Sequence, residues 1–268
     1  MRLRKFVVYF VLVMVSIMCV FWVYTLFINA TRSGSNMYGI RLIPSVHLVD
    51  NLYGILESAY PVVSAMKNSI LISVFGAAGC VYFASLCAYG FHMFDFPLKK
   101  ALFVFLVVIM MIPTQVSILG YVDLARKMRL TDSLWSVILP RMAVPITFYY
   151  VYQFMKINVS QTYIEAARID GAGEMLIFHS IIIPLLKPAV AVQFIFEFVN
   201  NWNSYFVPAV LLISDNKKTM SIVVTLLRSM DAGAEYAMMA IAILPITIMY
   251  ILLSKQIING IMAGGIKE

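Results

Sequence analysis

Apolar residues run through this chain in long blocks instead of alternating with polar ones, and the blocks set its architecture. A bilayer core needs roughly 20 apolar residues at about 1.5 Å of rise each. Six runs are long enough: Phe6–Ile28, Ser69–Phe91, Ala101–Val122, Leu134–Met155, Ala189–Ile213 and Tyr236–Ser254. The first follows Arg2, Arg4 and Lys5, and its 23 residues exceed the apolar region of a signal peptide, so it reads as an uncleaved helix. The pattern predicts an all-α integral membrane protein with six transmembrane helices, a single transmembrane domain over 1–268, and both termini on one side.

Composition narrows the class. Hydrophobic residues make up 62% of the 268 and charged residues 12%, against about 45–50% and 25% in soluble chains. Too few charges are available to cover a water-facing surface, which excludes a soluble enzyme, a disordered chain and a disulfide-stapled secreted domain. The net charge of +7 is spread thinly, with no more than two basic residues in a row, so no nucleic-acid partner is implied. Cys19, Cys80 and Cys87 all lie in apolar runs and read as structural thiols. Charge does not fix orientation: with the N-terminus inside, ten Lys and Arg fall inside and nine outside, with Arg141 within a span.

Two stretches carry more than span-forming residues. Between the fourth and fifth runs, segment 156–188 contains Glu165-Ala166-Ala167-Arg168-Ile169-Asp170-Gly171-Ala172-Gly173, followed by Ile181-Ile182-Ile183-Pro184. This predicts two short helices joined by a tight corner. Either Thr162 with Glu165, or Ser160, caps the first helix. Ala166 and Ala167 keep that helix thin, Gly171 supplies the positive φ where it stops, and Pro184 and Pro188 bracket the start of the next span. Such an elbow suits insertion into a partner's groove, or serves as an amphipathic linker in which Glu165 only caps.

In the fifth run, Gln193, Glu197, Asn200, Asn201 and Ser204 recur at helical spacing, with Trp202 and Asn203 beside them. Glu197 lies roughly 12 Å into the helix, where a carboxylate costs on the order of 2.5–3.5 kcal/mol and must face protein or water. The stripe either lines a hydrated path or holds a partner helix. Arg141, flanked by Pro140 and Pro145, reads as a snorkelling side chain in a kinked span.

The elbow resembles a known signature. Glu-Ala-Ala, three residues, Gly, nine residues, Ile, one residue, Leu-Pro marks the permease subunits of bacterial ABC importers, and this chain matches it with Ile183 in place of the Leu. The form Glu165-Ala-Ala-x-x-Asp170-Gly171-Ala172 is similar to the carbohydrate branch, in particular to its smaller, maltose-type permease. Asn68-Ser69, Trp202-Asn203 and a tail with Gly260, Ala263, Gly264 and Lys267 resemble the same branch, whereas Val159-Ser160 stands where relatives usually carry Ile-Pro.

The resemblance implies that Glu165, Ala166, Ala167, Asp170, Gly171, Ala172 and Pro184 belong to a cytoplasmic coupling loop docking on a separate ATPase, with the tail 256–268 reaching toward the same subunits. It implies a multi-pass protein of the cytoplasmic membrane with both termini cytoplasmic. The implied partners are a second permease forming a heterodimer, two ATP-binding subunits that hold ATP and Mg, an extracytoplasmic solute-binding protein and a mono- or oligosaccharide. A sugar-phosphate ester or an amino acid is the alternative solute, and an ATP-independent secondary carrier or an intramembrane enzyme the more distant readings.

The residues fit a transport subunit without its own chemistry. No Gly-Lys dipeptide occurs, so a phosphate-binding loop of the usual form is absent. His47, His92 and His179 are isolated and give no metal spacing. No catalytic constellation is apparent, and no cofactor is expected in this chain.

Overall fold

The computed structural model describes residues 2–33, 42–58, 60–227 and 232–265, and no strand occurs among them. The helices are α1 (Arg2–Ala30), α2 (Leu48–Leu56), α3 (Val62–Met93), α4 (Lys99–Ile109), α5 (Thr114–Lys127), α6 (Leu134–Arg141), α7 (Pro145–Asn158), α8 (Gln161–Ile169), α9 (Glu174–Ile177), α10 (Ile183–Trp202), α11 (Phe206–Leu211), α12 (Met220–Leu227) and α13 (Ala232–Gly265). Among the described residues, five stretches are long and apolar enough to cross a membrane: Lys5–Ala30, Val62–Met93, Leu134–Asn158, Glu174–Trp202 and Gly233–Ile258. The all-α membrane architecture is therefore as expected, and α1 buries none of its apolar window within the chain. Arg41, Arg228 and Lys267 lie outside the described residues.

The expected third span, 101–122, is not one continuous helix. It divides into α4 and α5 at Met110–Pro113. Pro113 has no N–H and disfavours helical geometry at Ile112; its own φ of −60° and ψ of 129° take the chain out of the helix. The fourth expected span is interrupted in the same way between α6 and α7, where Pro140 lies inside one helix and Pro145 opens the other.

The fifth differs at both ends. It starts at Glu174 instead of Ala189 and stops at Trp202, with α11 following after a break at residues 203–205. Pro184 and Pro188 thus lie within a continuous helical run and do not mark its start. A π-turn at Phe178–Ile182 carries the helix past Pro184, which has no N–H to continue the ordinary ladder.

The chain forms two compact units. One comprises Met1–Val63 and Met220–Leu244. In it the buried Asn51 amide donates to the carbonyls of Ala30 (2.8 Å) and Arg32 (2.7 Å), satisfying backbone left open where α1 ends. The other comprises Ser64–Thr219 and Pro245–Glu268. One apolar cluster joins Ala84, Ala88 and Phe91 of α3 with Phe148, Val151 and Met155 of α7, and includes Ile164, Ile177 and Phe178 of the elbow. A smaller cluster gathers Ile72, Ala125, Val137, Ile138, Leu211 and Leu212.

Beside the smaller cluster, a polar latch ties two loops. Asp132, at φ 56°, accepts from the N–H groups of Ile213 (2.9 Å) and Ser214 (3.0 Å) and from the Ser214 hydroxyl (2.5 Å), and Lys217 Nζ lies 3.3 Å from its carboxylate. The hydrogen bond from the Ser214 side chain, joined by those from the backbone, holds the Asp132 carboxyl well below the usual carboxylate range. A lowered folded-state value stabilises above the ordinary carboxylate range and is lost as pH falls below that range. The melting temperature of the detergent-purified protein should therefore exceed that of Asp132→Asn at neutral pH, with the gap narrowing as the buffer is taken to pH values below about 4; a gap independent of pH would refute the latch.

Candidate functional site

The elbow is built from a cap, a buried anchor and a glycine corner. Ser160 is the N-cap of α8, its hydroxyl accepting from the Thr162 N–H (3.3 Å), so of the two capping arrangements this one forms. Ile164 points inward and is fully buried, and Ile177 and Phe178 are buried with it on the far side of the corner. Gly171 has φ 79°, and the N–H groups of Asp170, Gly171 and Ala172 close onto the carbonyls of Ala166, Arg168 and Ala167. A β-carbon would find open space at Gly171, so its requirement is conformational.

With Ile164 facing the core, the opposite face is free. Glu165, Ala166, Asp170 and Gly171 are exposed, while Ala167 and Ala172 are half-buried against the cluster. Tyr163, Ile169, Met175 and Leu176 are also exposed, with Ile169 86% accessible. Pro184 is exposed along the following helix. The elbow therefore combines exposed apolar side chains with acidic ones on a rigid base.

A strut that the sequence pattern did not single out braces the corner. Arg168 Nε donates to Glu174 Oε1 at 2.7 Å, and the Tyr89 hydroxyl donates to Glu174 Oε2 at 2.5 Å. The guanidinium also lies 5.5 Å from the centroid of the Phe94 ring. Hydrogen bonding to Glu174 raises the Arg168 pKa above its ordinary value. Glu174 thus links the last turn of α8 and the first residue of α9 to α3, and His92 adds a contact to the Val159 carbonyl (3.2 Å). The sequence signal for this strut was weak, since Tyr89 lies 85 positions from Glu174.

In the same unit, a cavity of about 510 Å³ opens where the helices break. Gln115 and Tyr121 of α5, Arg141 at the end of α6, and Glu197, Asn200 and Ser204 line it, together with Val144 and Tyr205 from the interrupted backbone. Arg141 Nη2 donates to Ser204 Oγ (2.9 Å), and Thr147 Oγ1 donates to Glu197 Oε1 (3.1 Å). Arg141 thus turns to a polar partner instead of snorkelling.

The polar stripe of α10 divides. Glu197, Asn200 and Ser204 line the cavity, whereas Gln193, Asn201, Trp202 and Asn203 lie outside its lining. Asn201 sits against Gly76 of α3, where a β-carbon would come within 2.7 Å of its amide nitrogen. Trp202 stacks on Phe198 at 5.9 Å. No group of His, Cys, Asp and Glu suited to a metal occurs among the described residues.

The anchor and the exposed face should respond differently to truncation. Ile164→Ala leaves a cavity under the elbow and should cost about 2–5 kcal/mol, read as a clear drop in the melting temperature of the purified protein. Glu165→Ala should leave that temperature nearly unchanged, because Glu165 is exposed. Equal shifts in the two variants would contradict the inward and outward assignment.

Comparison with known proteins places this architecture. A model of the family described as "Binding-protein-dependent transport system inner membrane component" matches residues 80–258. The arabinooligosaccharides transport system permease protein AraQ of Bacillus subtilis (strain 168) is 29% identical over 262 residues, covering 95% of this chain and 92% of that protein. Its counterpart in Halalkalibacterium halodurans is 31% identical, covering 85% and 84%. The sn-glycerol-3-phosphate transport system permease protein UgpE of Shigella flexneri serotype 5b is 26% identical, covering 90% of each chain. The fold is similar to a chain in the crystal structure of a bacterial ABC transporter involved in the import of the acidic polysaccharide alginate, with a TM-score of 0.79, 20% identity, and coverage of 95% of this chain and 96% of that one. The chain is a multi-pass membrane permease and belongs to the inner-membrane component family of binding-protein-dependent transport systems.

Proposed function

We propose that this chain is one permease of a heterodimeric, ATP-driven importer that carries a mono- or oligosaccharide across the cytoplasmic membrane. The observation that carries the coupling role is the elbow: Glu165, Ala166, Asp170 and Gly171 are exposed between membrane helices, on a base fixed by buried Ile164. An exposed helix with apolar and acidic side chains suits a cleft on another protein, and here that protein is an ATPase. The loop therefore faces the cytoplasm, as do both termini.

Energy comes from outside the chain. Two ATP-binding subunits hold ATP and Mg, since this sequence has no Gly-Lys dipeptide for a phosphate-binding loop, and a solute-binding protein delivers the sugar on the other side. ATP-driven closure of the ATPase pair pulls the elbow. The Arg168–Glu174–Tyr89 strut passes that displacement to α3, and the continuous run from Glu174 to Trp202 passes it to the cavity wall. Glu197, Asn200 and Ser204 line the solute path, and Gln193, Asn201, Trp202 and Asn203 support it.

A sugar-phosphate ester is the second reading, favoured by the similarity to permeases named for sn-glycerol 3-phosphate.

Coupling should fail at the elbow before folding does. In a reconstituted complex, Glu165→Ala and Gly171→Val should leave the permease inserted and recoverable from membranes, while ATP-dependent uptake falls sharply and hydrolysis no longer responds to loaded binding protein. Wild-type uptake in both variants would remove the coupling assignment.

A further inference from the structure

We infer that Arg141 and Glu197 form a charge-balanced subsite for an uncharged, hydroxyl-rich ligand, so that the cavity favours a neutral sugar over its uronate or phosphate ester. This rests on the importer reading above and narrows its substrate class.

One acidic and one basic side chain line the same cavity, yet they form no ion pair with each other. Opposite charges free to approach one another would attract. Each is instead held by its own hydroxyl, Arg141 by Ser204 at 2.9 Å and Glu197 by Thr147 at 3.1 Å. The hydroxyls use one carboxylate oxygen and one guanidinium nitrogen, leaving the remaining donors of Arg141 and the second oxygen of Glu197 for the cavity.

A sugar hydroxyl both donates and accepts, so neighbouring hydroxyls can donate to the carboxylate and accept from the guanidinium. Both are charge-assisted bonds, and together they leave neither charge unmatched. A phosphate or uronate would pair with Arg141 but bring its own negative charge close to Glu197, where like charges repel. Tyr121, Tyr205 and Phe206 add ring surface for the apolar faces of a sugar. The setting is one that admits water and solute. Irregular backbone at Met142–Val144 and Asn203–Tyr205 adjoins the cavity, and such backbone persists at membrane depth where it is covered by protein or lines an aqueous space.

The test compares uptake of a radiolabelled neutral oligosaccharide and of the same oligosaccharide carrying a terminal uronate, in proteoliposomes holding the complete complex and one binding protein. Co-purification with the ATPase subunits checks assembly of each variant. Glu197→Gln, which keeps an acceptor but removes the charge, should cut neutral uptake about tenfold and raise the uronate-to-neutral ratio. Arg141→Gln should lower that ratio below wild type. The double variant, again without net charge, should return the ratio toward wild type even where total uptake is low. Charge-conserving Glu197→Asp and Arg141→Lys should keep the ratio and so guard against loss of folding.

Equal loss of both substrates in every variant would overturn the subsite, as would a wild type that prefers the uronate. A wild type that imports neither sugar in an ATP-dependent way would instead remove the importer reading itself.

Discussion

Hydrocarbon offers no hydrogen bonds to an open peptide group, and this constraint shapes the permease more than any single contact. A backbone N–H or C=O left unpaired against lipid costs several kcal/mol, by the general estimate for bilayer interiors. The chain therefore keeps its long helices intact where they have lipid-like surroundings, as in α1, whose side chains are exposed from Lys5 to Val20. Two of its breaks, Met142–Val144 and Asn203–Tyr205, adjoin a cavity lined by polar side chains. The same rule accounts for Asn51, whose amide takes up the carbonyls of Ala30 and Arg32.

The elbow solves a different problem: a small piece of chain must be exposed enough to be gripped and stiff enough to transmit force. Exposure comes from turning Ile164 to the inner face and leaving Glu165, Ala166 and Ile169 on the outer one. Stiffness comes from Glu174, which accepts from Arg168 on one side of the corner and Tyr89 on the neighbouring helix. Arg168 and Glu174 are each more than a third exposed, and an ion pair of that kind adds only a modest amount to stability. Its contribution is geometric, since it fixes the angle between α8 and the run that follows.

The sequence was most readable where local chemistry decides structure. Gly171 was predicted at a positive φ because few other residues tolerate it, and it has φ 79°. Ser160 and the thin Ala166-Ala167 helix follow from capping and propensity in the same way. Apolar blocks located the membrane helices because burial in lipid needs length and little else. What the blocks could not convey is where proline interrupts them: 101–122 reads as one run, yet Pro113 divides it. Nor did spacing along α10 separate Asn200 from Asn201, adjacent residues of which the first lines the cavity and the second packs against Gly76. That distinction depends on α3, which is remote in sequence. The Tyr89–Glu174 bond was unreadable for the same reason.

The π-turn at Phe178–Ile182 sets the angular phase between the two ends of one rod. Such a turn holds one residue more than an ordinary helical turn, and each residue in a helix advances the side-chain direction by about 100°. The orientation of Glu197 relative to Glu174 is therefore keyed to that single additional residue. Deleting one residue from that turn would swing Glu197 about 100° around the helix axis relative to the elbow.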